Sequence, residues 1–378
     1  MLSTLVAASL ASGALAQSFT PLASKRFDYN NLPYQADNTT GVRGGQFGYN
    51  RCNATTETQD SRCQTAIINA VDDFCLWAPP EPGAEVGNVE GEMVAWCTKE
   101  GHGTRIIPEG ALQGVQFMRT PHYVQVVGQI DQSKINIDPS DYGGEMDPHG
   151  ADQRGNPLGG LVFSNAFGSN STTSGTTNSG TAYQQVIQWH NFMGGGQFCL
   201  KACDPSYELG YAMCEHIFDR IGCVYNAPAD YQAINGTFQS CQGDDQLYPG
   251  VYVENGATRT YTQPPESLGP ISTIPYTPFT PSSSSCSTYQ SAQLYTAAAA
   301  IATSSSSAVS SSASTTSGAS SAASTGSQSG SQSGSSTATA INGAATSQAG
   351  SNNNTSGAEQ VKVGGLVAAL AAMVAFAF

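Results

Sequence analysis

Positive charge is scarce in this 378-residue chain. Only 14 Lys and Arg stand against 28 Asp and Glu, for a formal charge of −14. Phosphate recognition needs clustered basic side chains, so nucleic acid is excluded as a partner. Familiar hydrolase signatures are missing as well. There is no H-E-x-x-H, which removes the common zinc-protease helix, and no G-x-S-x-G, which removes the usual serine nucleophile turn. No catalytic constellation and no cofactor or metal motif is read, so the expectation is a non-enzymatic protein. Long apolar runs are lacking too. Residues 366–378 (LVAALAAMVAFAF) would form a helix of about 20 Å, short of a hydrocarbon core of about 30 Å.

What the two ends do contain is informative. Residues 1–16 carry no charged side chain and finish in Ala14-Leu15-Ala16, the pattern of a secretory signal peptide. The 366–378 run follows a short polar spacer and the small residues Asn354-Thr355-Ser356-Gly357-Ala358. That order predicts a GPI-attachment signal over 357–378, with Ser356 or Asn354 as the attachment residue. Between Arg259 and Glu359 the one charged residue is Glu266, and the chain turns from Pro/Thr-rich to Ser/Thr/Ala/Gly-rich. Such a segment cannot bury enough apolar surface to offset chain entropy, so 262–356 reads as a disordered, O-glycosylated stalk. The expected location is the outer face of the plasma membrane and the cell wall, with part of the protein secreted.

Ten cysteines in a secreted chain predict disulfides: Cys52, Cys63, Cys75, Cys97, Cys199, Cys203, Cys214, Cys223, Cys241 and Cys286. Spacing alone leaves their pairing open. Cys199 and Cys203 with His216 could also be drawn as a zinc site, an arrangement an oxidising compartment disfavours. N-x-S/T sequons stand at Asn38, Asn53, Asn170, Asn235, Asn353 and Asn354. Lys25-Arg26 is a dibasic pair, either a processing site or simply solvated.

The folded part is expected over 27–261, as one disulfide-stapled α+β domain. Helical spacing of Cys63, Ala66, Ile67, Ala70, Val71, Phe74 and Cys75 predicts an amphipathic helix stopped by Pro79, Pro80 and Pro82. Residues 94–130 are rich in Val, Ile and aromatics broken by glycines, which predicts short strands. Further helices are expected over 182–193 and 207–222.

Two stretches could hold a ligand. In the Gly-rich loop 141–160, Glu145, Asp147, His149, Asp152, Arg154 and Asn156 could aim oxygens at Ca²⁺ or at sugar hydroxyls. The alternative is a loop held by its own Asx and Arg hydrogen bonds. Trp189-His190-Asn191, ahead of three glycines, could stack on a sugar ring, or Trp189 could be core.

The segment 96–166 (WCTKEGHGTRIIPEG… YVQVVGQIDQSKINI… DYGGEMDPHGADQRGNPLGGLVFSNA) and the run WHNFMGGGQFCLKAC…CEHIFDRIGCVYNAPADY resemble the fungal macrophage-activating glycoproteins, a group that includes cryptococcal immunoreactive mannoproteins. The likeness covers most of residues 95–253. It implies a heavily mannosylated surface or wall glycoprotein recognised by host mannose-binding lectin receptors; the C-terminal signal adds a GPI lipid as a partner, and the wall location adds cell-wall polysaccharide. It carries over no catalytic residue. The chain departs from the family at Gly195, where relatives commonly carry a cysteine, so a borrowed disulfide map does not extend to Cys199. An alternative function is a wall-polysaccharide-binding module using the 141–160 loop and Trp189.

Overall fold

A computed structural model describes residues 19–167, 175–176 and 182–295. The expected signal peptide, the attachment segment, Asn170, Asn353, Asn354 and Ser356 lie outside these residues.

Sheet is the main regular structure of the described chain. One seven-stranded sheet takes β3 (Thr65–Ala70), β4 (Asp73–Ala78), β5 (Val94–Cys97), β6 (Arg105–Ile106), β10 (Leu161–Ser164), β11 (Gly175–Thr176) and β12 (Ala182–Val186). Their order in space is β11-β12-β10-β3-β4-β5-β6. The second sheet takes β7 (Leu112–Arg119), β8 (Tyr123–Ile130), β9 (Gly144–Met146), β13 (Trp189–Gly194), β14 (Gln197–Cys203), β15 (Phe238–Gly243) and β18 (Ser283–Thr288), ordered β18-β15-β7-β8-β14-β13-β9. Two small hairpins, β1 (Thr40–Gly41) with β2 (Gly44–Gly45) and β16 (Val251–Glu254) with β17 (Ala257–Thr260), stand outside the sheets.

The sheets pack face to face. Phe74 of β4 stacks on Phe198 of β14 with ring centroids 6.2 Å apart, and Trp77 meets Trp189 at 5.9 Å. The Trp77 backbone N–H donates to Asn191 Oδ1 at 2.9 Å, a direct hydrogen bond between the layers. Period-two alternation sorts the second sheet into two faces. Val124, Val126, Ile130, Phe198 and Leu200 join the main core, while Tyr123, Val127, Cys199 and Cys203 fill two smaller clusters on the other side. That outer face is covered by the chain between β14 and β15, which carries α2 (Gly210–Met213), α3 (Gly222–Asn226) and α4 (Tyr231–Ile234).

The expectation of disulfides holds, and five are formed: Cys52–Cys63, Cys75–Cys97, Cys199–Cys223, Cys203–Cys214 and Cys241–Cys286. Cys75 and Cys97 face each other across β4 and β5. The pairs at Cys199 and Cys203 fasten the covering segment to β14, so neither cysteine serves a zinc site.

Three expected helices are corrected. Residues 63–75 form β3 and β4, joined by a tight turn with Ile68 opposite Phe74. Both strands are buried along nearly their whole length, so apolar side chains fill every position and a helical spacing arises by chance. Residues 182–193 are β12 and all but the last residue of β13, where Trp189 and Asn191 face the other sheet and His190 and Phe192 face away. Over 207–222 only the four residues of α2 are helical before Gly222, whose φ of +65° no right-handed helix passes through. The α+β expectation thus reduces to a sheet-rich domain with helices of four or five residues. The strands expected over 94–130 are present.

Packed chain also continues past Tyr261. β18 pairs with β15, and α5 (Ser291–Leu294) ends beside Tyr295, whose hydroxyl donates to the Leu112 carbonyl at 2.8 Å and accepts from its N–H at 2.6 Å. The N-terminal part of the expected stalk is therefore folded onto the sheet.

Candidate functional site

The 141–160 loop begins by docking at the edge of the second sheet. Asp141 accepts from the Val86 N–H at 2.7 Å and from the Gly143 N–H at 3.0 Å. At Gly143 (φ +94°) an added Cβ would lie 1.7 Å from the Met193 carbonyl oxygen, so only glycine permits this approach. The chain then pairs as β9 against β13, with Glu145 opposite Phe192 and Met146 opposite Asn191. Met146 enters the core, and alternation turns Glu145 to the outer face, beneath the covering segment.

A cleft of about 620 Å³ opens there. Carboxylates of Glu90, Glu145, Asp219 and Glu266 line it, and Tyr142, 94% exposed, stands at its rim. Glu90 comes from the turn after α1 (Val86–Val89), while Asp219 comes from the cover. Glu145 is 4% exposed, and its Oε1 has no hydrogen-bond partner among the described residues. Burial pushes its carboxyl well above the usual range, and the charges of Asp147, Asp219, Glu90 and Glu215 add to the rise. Glu90 is pushed up to about 7, chiefly by burial and then by Asp147 and Asp219. The one basic residue lining the cleft, Arg220, directs its guanidinium to the carbonyls of Pro264 and Gly269, at 2.7 and 2.6 Å.

The remaining loop residues brace the fold. Asp147 Oδ1 accepts from the N–H groups of His149 and Gly150, at 2.7 and 2.9 Å. Asp152 is gripped by Arg43, which also donates to Asn156 Oδ1. Asn156 in turn donates to Glu90 Oε2 at 2.9 Å, so this network holds one wall of the cleft. Arg154 is buried, donating to Asp37 at 2.6 Å and to the carbonyls of Gly44 and Thr39. Among the described residues no three His, Cys, Asp or Glu side chains are grouped to hold a metal ion. His149 stacks on His216 with centroids 3.8 Å apart, and burial lowers the His216 pKa, with His149 adding to the effect.

Trp189 is corrected: at 1% exposure, packed on Trp77, it offers no face to a ligand. His190 is likewise enclosed. It sits opposite Lys201 on β14, which sits opposite Gln125 on β8, forming a buried polar row under the cover. Lys201 donates to the Asn226 carbonyl and to Gln246 Oε1, and its Nζ lies 5.0 Å from the Tyr123 ring centroid. Burial depresses the pKa values of both Lys201 and His190. Sequence reasoning selected Glu145 but missed Glu90 and Asp219, which lie far along the chain; nothing local marks either as part of a site.

Over 214 aligned residues the chain is 49% identical to appressorium protein ROW1 of Mycosarcoma maydis, a match covering 56% of this chain and 47% of that protein. Over 230 residues it is 41% identical to appressorium protein ROW2 of the same organism, covering 60% of this chain and 73% of that protein. The chain thus spans about half the length of ROW1 and nearly three quarters of ROW2. No family model and no solved structure matches it.

Proposed function

Because the chain belongs to the family of the fungal appressorium proteins ROW1 and ROW2, a family of fungal surface or secreted proteins, we propose that it acts as a non-enzymatic glycoprotein held at the plasma membrane and wall by a GPI anchor, with a secreted fraction. The observation carrying this reading is the placement of its sequons. Asn38, Asn53 and Asn235 lie in different parts of the domain, and each is exposed. Asn53 Oδ1 already accepts from the Thr55 N–H and hydroxyl, a compact turn at the surface. Five disulfides agree with the same compartment. Mannose on these sites and on the Ser/Thr-rich tract would be read by host mannose-binding lectin receptors, many weak contacts on one chain raising avidity. In that role the protein is an antigen, as the likeness to macrophage-activating glycoproteins implies.

Mass spectrometry of the mature protein tests this. Its last peptide should end at Ser356 or Asn354 and carry a glycolipid remnant, and removal of N-glycans should lower the intact mass. A mature protein that retains 366–378 and shows no mass change sinks the proposal.

The acidic cleft favours a second reading, binding of wall polysaccharide by the domain. An open cleft of this size beside an exposed tyrosine suits an oligosaccharide. It draws on the 141–160 loop but not on Trp189.

A further inference from the structure

Four carboxylates line the cleft, and the guanidinium among them is engaged by backbone carbonyls. Arg43, the other nearby cation, is held by Asp152, Asn156 and the Gly155 carbonyl. The described residues therefore offer these four carboxyl groups no matching positive group. The Glu145 oxygen makes the same point at atomic scale. A buried acceptor without a donor is costly, and a protein keeps one most readily where a ligand supplies the missing N–H.

We propose that the cleft binds an amine-bearing saccharide, a glucosamine oligomer of the kind found in deacetylated chitin. Its ammonium group meets Glu145 and Asp219, and a sugar ring lies on Tyr142. An ammonium brings three N–H donors and the compensating charge together. Tyr142 and the backbone of Gly143, Gly144, Gly194 and Gly195 form an open wall with little side chain in the way of a flat ring. This inference rests on the polysaccharide-binding reading and adds the requirement for a free amine.

Protons report the event. Glu90 and Glu145 face Asp147, Asp219, Glu215 and Arg43, with the His149–His216 pair close to Asp147 and Glu215. In the free protein these charges and burial favour protonated carboxyls, and an arriving ammonium favours their ionisation, so binding should release protons.

The test is calorimetry on the full secreted glycoprotein at mildly acidic pH, where the sugar amines are fully charged and the cleft carboxyls still protonated, titrated with hexamers of glucosamine, N-acetylglucosamine and β-1,3-glucose, in buffers of different ionisation heat. The glucosamine hexamer should bind at least about tenfold more tightly than the other two, with proton release. Glu145→Gln and Asp219→Asn should each weaken binding by about tenfold or more, and Glu145→Gln should leave the melting temperature equal or higher. Tyr142→Ala should weaken sugar binding at unchanged stability. Equal binding of an uncharged hexamer overturns the amine requirement while leaving the polysaccharide reading intact. No binding by any hexamer removes both. A lysine pentapeptide binding as tightly as the glucosamine hexamer overturns the saccharide assignment.

Discussion

Replacing Glu90 by glutamine should make the protein more stable as the pH rises, the reverse of what loss of a salt-bridged carboxylate with a lowered pKa does. In the folded state the carboxyl is pushed up from the ordinary 4.5 to about 7, by burial and by Asp147 and Asp219. A group whose folded pKa is raised contributes no penalty below about 4.5, where it is protonated in both states. Its stabilising proton is lost as pH climbs through about 7. The full shift corresponds to about 3.4 kcal/mol at about 1.4 kcal/mol per pH unit. Glu90 keeps part of its surface in water, so screening reduces this to about 2 kcal/mol. The Glu90→Gln side chain retains an acceptor for the Asn156 amide and removes only the charge. The difference in unfolding free energy between variant and parent should be near zero at about pH 4.5 and about 2 kcal/mol in the variant's favour at about pH 8. That corresponds to a melting temperature higher by about 4–8 °C for a domain of this size. The histidines oppose this trend in the parent. Burial lowers the folded pKa values of His190 and His216, so their contribution is lost as pH falls below the unfolded value. Because both proteins share these histidines, their effect cancels in the difference. Denaturation across this pH range is the assay. A difference that stays flat with pH, or that favours the parent at alkaline pH, refutes the electrostatic account of the cleft.

Other perturbations separate architecture from recognition. Trp189→Ala removes a buried ring packed on Trp77 and should cost about 3–5 kcal/mol by denaturant titration; a loss under about 1 kcal/mol would contradict its place in the core. Opening Cys241–Cys286 by Cys286→Ser with Cys241→Ala releases a closure spanning 45 residues, worth about 4 kcal/mol by loop entropy. Hydrogen exchange should then rise first in β18 and around Tyr295, and unchanged protection there would deny that the bond secures this edge.

Some of this was readable from the chain. Along β7 and β8, β-branched and aromatic residues between glycines announce strands, and their alternation assigns the two faces. The compartment was readable in the cysteines. The helix expected over 63–75 failed because β3 and β4 are covered on both sides. When every position is apolar, no period distinguishes strand from helix. The segment 207–222 failed for another reason: its course follows the attachment of Cys214 and Cys223 to β14, and pairing is invisible in sequence. In the 141–160 loop, polar density concealed two roles. Arg154 and Asp152 secure the backbone, whereas Glu145 differs from them only by lacking a partner. Its neighbours Glu90 and Asp219 reach it from distant segments, so the cleft exists only after folding.

The two bonds from β14 to the cover also determine how this surface withstands enzymes outside the cell. Cys203 and Cys214 close a ring of chain in which Leu209 and Tyr211 are exposed, an evident place for a protease to cut. A cut there yields two chains that stay joined through sulfur, and Cys199–Cys223 keeps the downstream piece on the same strand. The nicked molecule retains its mass, apart from one added water, until a reductant is present. Damage to the cover is thus recorded in the chain without shedding the layer that hides His190 and Lys201.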